Sequence, residues 1–230
     1  MTAPGEPQGR DGDGDHLVTH TVARSITIHR LDQETTELVR LSAVLTCGSE
    51  SEIRARLASV HTLVNPEWIE EVILQTYLFA GFPRALNAAR EWRRVSGRRA
   101  PAGDESLQVD EAFTRRRGQE TCAIVYGASY ARLRVNIQAL HPALDAWMID
   151  DGYGKVLGRP QLDLARRELC VVAACAVARQ DRQLHSHLHG ARHAGASDDA
   201  VADALRVAEA FIIATDVTRY RALWARVRGA

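Results

Sequence analysis

The chain has 230 residues, with 29 basic and 29 acidic side chains. That length can bury a sizeable core, and the balanced charge provides no field to draw nucleic acid or an anionic membrane. No apolar run is long enough to span a bilayer. The four cysteines, Cys47, Cys122, Cys170 and Cys175, form no CxxC pair and no signal peptide is evident, so the expectation is reduced thiols in a cytoplasmic protein.

Residues 1–20, MTAPGEPQGRDGDGDHLVTH, are rich in Gly, Pro and Asp, which predicts a disordered tail. Beyond them apolar residues recur at three- and four-residue intervals, the signature of helices. In NPEWIEEVILQTYLFAG, Asn65 caps, Pro66 suits the first turn, Glu67 and Glu70 favour the positive helix end, and Gly81 stops the helix. The turn FAGFPRALNAA (79–89) follows, where Gly81 permits a tight bend, Phe82 comes next and Pro83 opens another helix. Such a turn either presents backbone N–H groups to a substrate oxygen or simply joins two helices. Trp68, Trp92, Trp147, Trp224 and Tyr77 fall at helical spacing and read as core or interface. The stretch 122–160 supplies further helices, LARRELCVVAACAVA (164–178) is a largely buried one, and SDDAVADALRVAEAFIIA (197–214) repeats the Ser197-capped design.

An internal repeat organises these elements. Residues 31–57 set above 162–188 match at an offset of 131: Leu31/Leu162, Asp32/Asp163, Glu37/Glu168, Leu38/Leu169, Ala43/Ala174 and Leu57/Leu188. One extra residue then moves the offset to 132, pairing Glu71 with Asp203 and Phe79 with Phe211. The expected fold is all-α: two homologous helical repeats, 21–104 and 105–230, packed as one pseudo-symmetric unit.

Within the apolar helix 164–178, Glu168 is the one acid. A buried carboxylate costs several kcal/mol unless it is paired or protonated, and either state suits proton transfer. His187 follows 19 residues later, and a chain reversal near Arg179–Asp181 brings the two within reach of each other if the helices cross. A Glu/His acid–base pair is one reading; the other is a structural pair of Glu168 with the adjacent Arg167, and a surface histidine. His185, His189 and His193 step by four along one helix face. Two such histidines suit zinc, but no HExxH and no third-helix ligand accompany them, so we expect no metal and a solvated face.

Taken together, GYGKVLGRPQLDLARREL (152–169), QLHSHLHGARHAGAS (183–197) and WIEEVILQTYLFAGFPRALNAA (68–89) resemble the carboxymuconolactone decarboxylase family, which is related to the alkyl hydroperoxidase D-like proteins. The resemblance spans roughly 30–96 and 120–225. It implies an all-α bundle that assembles from six repeats, and so a homotrimer of fused pairs with pseudo-hexameric symmetry. The peroxidase branch carries a CxxC, whereas here the corresponding positions are Gln180 and Gln183, and Ser49 and Glu52 in the first half. The decarboxylase branch uses neither metal nor organic cofactor. Its acid falls on Glu168, its histidine on His187 and its arginine on Arg167, which implies catalysis by the first two and a substrate-carboxylate clamp in the third. The first half keeps Glu37 and the Gly81–Phe82–Pro83 turn but has Thr36 for the arginine and Arg56 for the histidine. The resemblance therefore implies one composite site per chain, with Glu37, Arg56 and the turn on the substrate side. The implied activity is cofactor-independent decarboxylation of a carboxylated lactone or related cyclic carbonyl compound. YGKVLGRP lacks the tryptophans of the dedicated catabolic pattern WGxVWxRP, which keeps open a tailoring cyclase or isomerase using the same pair. A non-catalytic ligand-binding or assembly homologue is the third alternative. The expected partners are a small-molecule substrate and further copies of the chain.

Overall fold

The computed structural model describes residues 26–104 and 108–229; the expected tail at 1–20 lies outside the described residues. Its elements are α1 (Gln33–Cys47), α2 (Glu50–Val60), α3 (Pro66–Ala80), α4 (Phe82–Ser96), α5 (Glu111–Tyr126), α6 (Tyr130–Leu140), α7 (Pro142–Trp147), α8 (Leu164–Val177), α9 (Asp181–His193), α10 (Asp198–Ala208) and α11 (Ala214–Arg228). The fold is all-α; among the described residues the only β-type pairing is an isolated bridge between Ile28 and Ala196. No helix is long and apolar enough to cross a membrane, among those same residues.

Local chemistry sets the helix starts. The carboxylates of Asp32 and Asp163 accept from the third amide of α1 and α8, at 2.7 and 2.9 Å, and Ser49 and Glu52 form a reciprocal capping box on α2. Asn65 caps α3 ahead of Pro66, and Ser197 caps α10. Gly81 ends α3 and starts α4 at φ +88°, a conformation that a side chain would strain.

Helices α1 and α8 pack against each other at the centre, with α3 and α10 beside them. Every residue of α8 from Arg167 to Ala176 is buried, and Leu38, Leu41 and Leu45 of α1 face it in one continuous core. The helices of the two halves fall in step. From Gln33 to Leu164 and from Glu50 to Asp181 is 131 residues, and from Pro66 to Asp198 and from Phe82 to Ala214 is 132. Where α1 meets α8, Arg166 Nε donates to Thr35 Oγ1 at 3.0 Å, a bond between residues 131 apart. Thr35 and Arg166 thus meet across the α1–α8 contact.

Residues 148–157 form a stretch of π-helix packed on α5, a rare conformation that frequently marks functional sites. It carries Tyr153 inward, while α5 lies along α9.

Candidate functional site

The chain reverses between α8 and α9 through Arg179, which adopts φ +56°. That reversal brings His187 Nδ1 to 2.7 Å from Glu168 Oε2. Glu168 is fully buried and His187 is 4% exposed. With Nδ1–H donating to the carboxylate, Nε2 is the ring nitrogen left to exchange a proton. The other carboxylate oxygen, Oε1, is buried and has no hydrogen-bond partner among the described residues. Buried polar atoms are usually satisfied, so such an atom is an open acceptor.

Aromatic rings surround the imidazole. Phe79 from α3 meets it edge-on at 5.8 Å between centroids, and Tyr126 from the end of α5 does so at 6.5 Å. Tyr153 from the π-helical stretch packs on Tyr126 at 6.3 Å. Burial pushes the Tyr126 phenol up to about 12 and raises Tyr153 as well, so both hydroxyls remain donors at neutral pH. Gly190 makes room for the carboxylate: a Cβ there would stand 2.6 Å from Glu168 Oε2 and 2.7 Å from Val125 Cγ1.

The remaining candidates are arranged differently. Arg167 does not face the pair. It is fully buried, with Nη2 bonded to Glu71 Oε2 at 2.6 Å and to the Arg159 carbonyl at 3.0 Å, and Nε to the Leu162 carbonyl at 3.0 Å. Both the expected clamp on a substrate carboxylate and the alternative Glu168–Arg167 pair are therefore corrected: the guanidinium is committed to an acid on α3. Arg159 shares that acid at 2.9 Å and reaches Asp104 at 2.8 Å, an arrangement that neutralises the buried charges.

In the first half, Arg56 pairs directly with Glu37 Oε2, and Arg40 holds Oε1 at 2.9 Å. The turn residues Gly81, Phe82 and Pro83 make no contact with Glu168 or His187 that the hydrogen-bond or ring geometry records. Phe82 is 59% exposed and meets Tyr77 edge-on at 5.9 Å, while α4 begins without a side-chain cap. The first half reaches the pair through Phe79, two residues earlier. His185 and His193 are exposed and His189 is half-buried. Among the described residues, no three His, Cys, Asp or Glu side chains are grouped to hold a metal ion. Burial raises the thiols of Cys122 and Cys170 to about 12 and raises Cys175 as well, which disfavours the thiolate needed for redox chemistry.

Phe79, Tyr126, Tyr153 and Gly190 escaped the sequence reading as site residues. Gly190 carried a usable signal, since it lies three residues after His187 and so shares its helix face. The tyrosines carried none, because α5 and the π-helical stretch reach α9 only through the fold.

One comparison with known proteins bears on the same segment. Residues 142–226 match the model of the carboxymuconolactone decarboxylase family. The chain is also 28% identical over 143 residues to Peroxisomal protein 2 of Schizosaccharomyces pombe, a match covering 61% of this chain and 66% of that protein. The stretch from 142 to 226 that matches the carboxymuconolactone decarboxylase family model holds both members of the buried Glu–His pair.

Proposed function

We propose that this protein is a cofactor-independent acid–base enzyme, a carbon–carbon lyase acting on a carboxylated lactone or related cyclic carbonyl compound. The observation that carries the reading is the 2.7 Å bond between Glu168 and His187 inside an apolar wall. Glu168 holds the ring by Nδ1 and leaves Nε2 to work. In the lyase step the bond from the ring carbon to the carboxylate breaks and CO2 leaves. Its electron pair moves into the conjugated carbonyl as a dienolate. A proton from protonated His187 Nε2 then returns to carbon, and solvent restores it. No oxidant or metal is required for that balance. Phe79 and Tyr126 limit water around the ring, which strengthens the local electrostatics, and the Tyr126 hydroxyl is a donor for a carbonyl oxygen. Arg167 has no part in this scheme.

The test is CO2 release from a panel of carboxylated lactones, by the natural chain and by His187→Ala. Loss of release in the variant supports the reading, and unchanged turnover sinks it. Tyr153 and Leu157 stand where the dedicated catabolic pattern carries tryptophan, which favours a second reading. There the same pair shifts a proton to isomerise or cyclise a related scaffold. Product formation that depends on His187 without CO2 release selects it.

We further read the two halves as a duplicated unit and the chain as a cytoplasmic homotrimer. The 131- and 132-residue steps between helix starts support the duplication. Helix α6 buries none of its residues, and Val135, Leu140 and Trp147 on α6 and α7 are 66%, 72% and 60% exposed. Exposed apolar groups of that size suit association. Light scattering coupled to size exclusion tests it, with a monomer as the contrary outcome.

A further inference from the structure

A second feature of α9 lies on its outer face. Between that face and α6, with the turn that precedes it, runs a cleft of about 490 Å³. His185, His189 and His193 line it from α9, and Ser129, Arg132 and Asn136 line it from the opposite side. The His185 and His189 rings are 5.1 Å apart between centroids and His189 and His193 are 6.4 Å apart. His193 Nδ1 is held by the Val125 carbonyl at 2.9 Å, which makes that nitrogen a donor and leaves Nε2 for a ligand. Among the described residues no Asp or Glu lines the cleft, and Arg132 has no hydrogen-bond or ion-pair partner. Tyr126, whose ring meets His187, also lines it, so the cleft and the buried pair share one wall.

We propose that this cleft binds the carboxylate of a small organic acid. An unpaired guanidinium, three imidazoles and the polar groups of Ser129 and Asn136 offer donors without a competing acid, and a fork of N–H groups suits a carboxylate. The same charge opposes a divalent cation: histidines four apart can ligate one, but Arg132 repels it and no carboxylate neutralises it. His189 titrates below the ordinary histidine range, through partial burial first and then the charge of His185, His193 and Arg192. The charged and titratable groups around it are those three on α9, Tyr126 on α5 and Arg132 on α6. A bound anion offsets their repulsion and favours the protonated ring. Binding needs no turnover; only the step from bound acid to substrate rests on the Glu168–His187 reading.

The experiment uses the full chain with phthalate as the anionic probe and phthalamide as its neutral counterpart. NMR of the histidine ring Cε1–Hε1 signals is followed between about pH 5 and 8. Phthalate is expected to raise the His189 titration midpoint by roughly half a unit or more, and phthalamide to leave it in place. Arg132→Ala is expected to weaken phthalate binding about tenfold, the loss of one charge-assisted contact. Because Arg132 is exposed and partnerless, its removal keeps the fold, which circular dichroism checks. Glu168→Gln should keep phthalate binding. If it also keeps turnover, the catalytic reading fails and the cleft stands. Histidine signals that ignore phthalate, that answer phthalamide equally, or that respond only to zinc overturn the proposal.

Discussion

Two acids stand at matching places in this chain, and their partners set them apart. Glu168 meets His187 and Glu37 meets Arg56, and each step from the first half to the second is 131 residues. A guanidinium stays charged throughout the range in which proteins fold, so Glu37–Arg56 is a fixed ion pair. An imidazole has a second ring nitrogen that can take or give a proton, so on the proposed reading Glu168–His187 is the pair that cycles one. The surroundings differ in the same direction. Glu168 lies at 0% side-chain exposure under α5 and its tyrosine, while the Glu37 side chain is 15% exposed, with Arg40 drawn onto it. Glu168 sits beside an imidazole inside an apolar wall; Glu37 sits among salt bridges.

The largest expected effect tests that contrast directly. On a substrate that turns over, His187→Ala should lower kcat by about 10²–10⁴-fold, the usual worth of a general acid–base group. Arg56→Ala removes no exchangeable proton, and the same assay should register a loss no larger than about tenfold. Equal losses would erase the difference between the halves.

Next come the buried acids of α3 and α10. Glu71 neutralises Arg159 and the fully buried Arg167, so Glu71→Ala should cost about 3–5 kcal/mol in urea unfolding. Its counterpart Asp203 pairs with Arg30 and Arg206, whose side chains are 63% and 64% exposed, and Asp203→Ala should cost about 1 kcal/mol or less. A smaller step separates Gly190 from its counterpart Ser59. Gly190→Ala overpacks Glu168 and Val125 and should destabilise by about 1–3 kcal/mol. Ser59 is exposed, and Ser59→Ala should stay within about 0.5 kcal/mol in the same measurement.

The smallest effect concerns pH. His189 faces its neighbours on α9 where the first half has Ala58. Its folded midpoint is depressed, so the unfolded chain binds the proton more readily. The associated stability is fully present above the unfolded value of about 6.5 and is lost as pH falls through the folded one. Thermal unfolding should thus decline more steeply below about pH 6.5 in the natural chain than in His189→Gln.

Much of the helical layout was legible beforehand. Asn65 and Ser197 read as caps in the sequence and act on amides within three residues of themselves, while Asp32, Ser49 and Asp163 cap by the same local chemistry but were missed as caps. The pairing of Glu168 with His187 was legible as one of two readings, because 19 residues with a reversal between them leave the crossing of two helices undecided. Arg167 was misread for a related reason. Its neighbour in sequence is Glu168, but residues adjacent on a helix point about 100° apart, and the acid it meets, Glu71, lies 96 residues away.

The sequence by itself determined the all-α class, the starts of the helices and the residue types able to exchange a proton, since each depends on local periodicity or on the side chain's own chemistry. Only the tertiary structure decided which acid each cation meets, that Phe79, Tyr126 and Tyr153 enclose the pair, and that Gly190 must stay small beside it. Those outcomes depend on how helices far apart in the chain pack against one another, and burial then determines which charges must be paired and which atoms are left open.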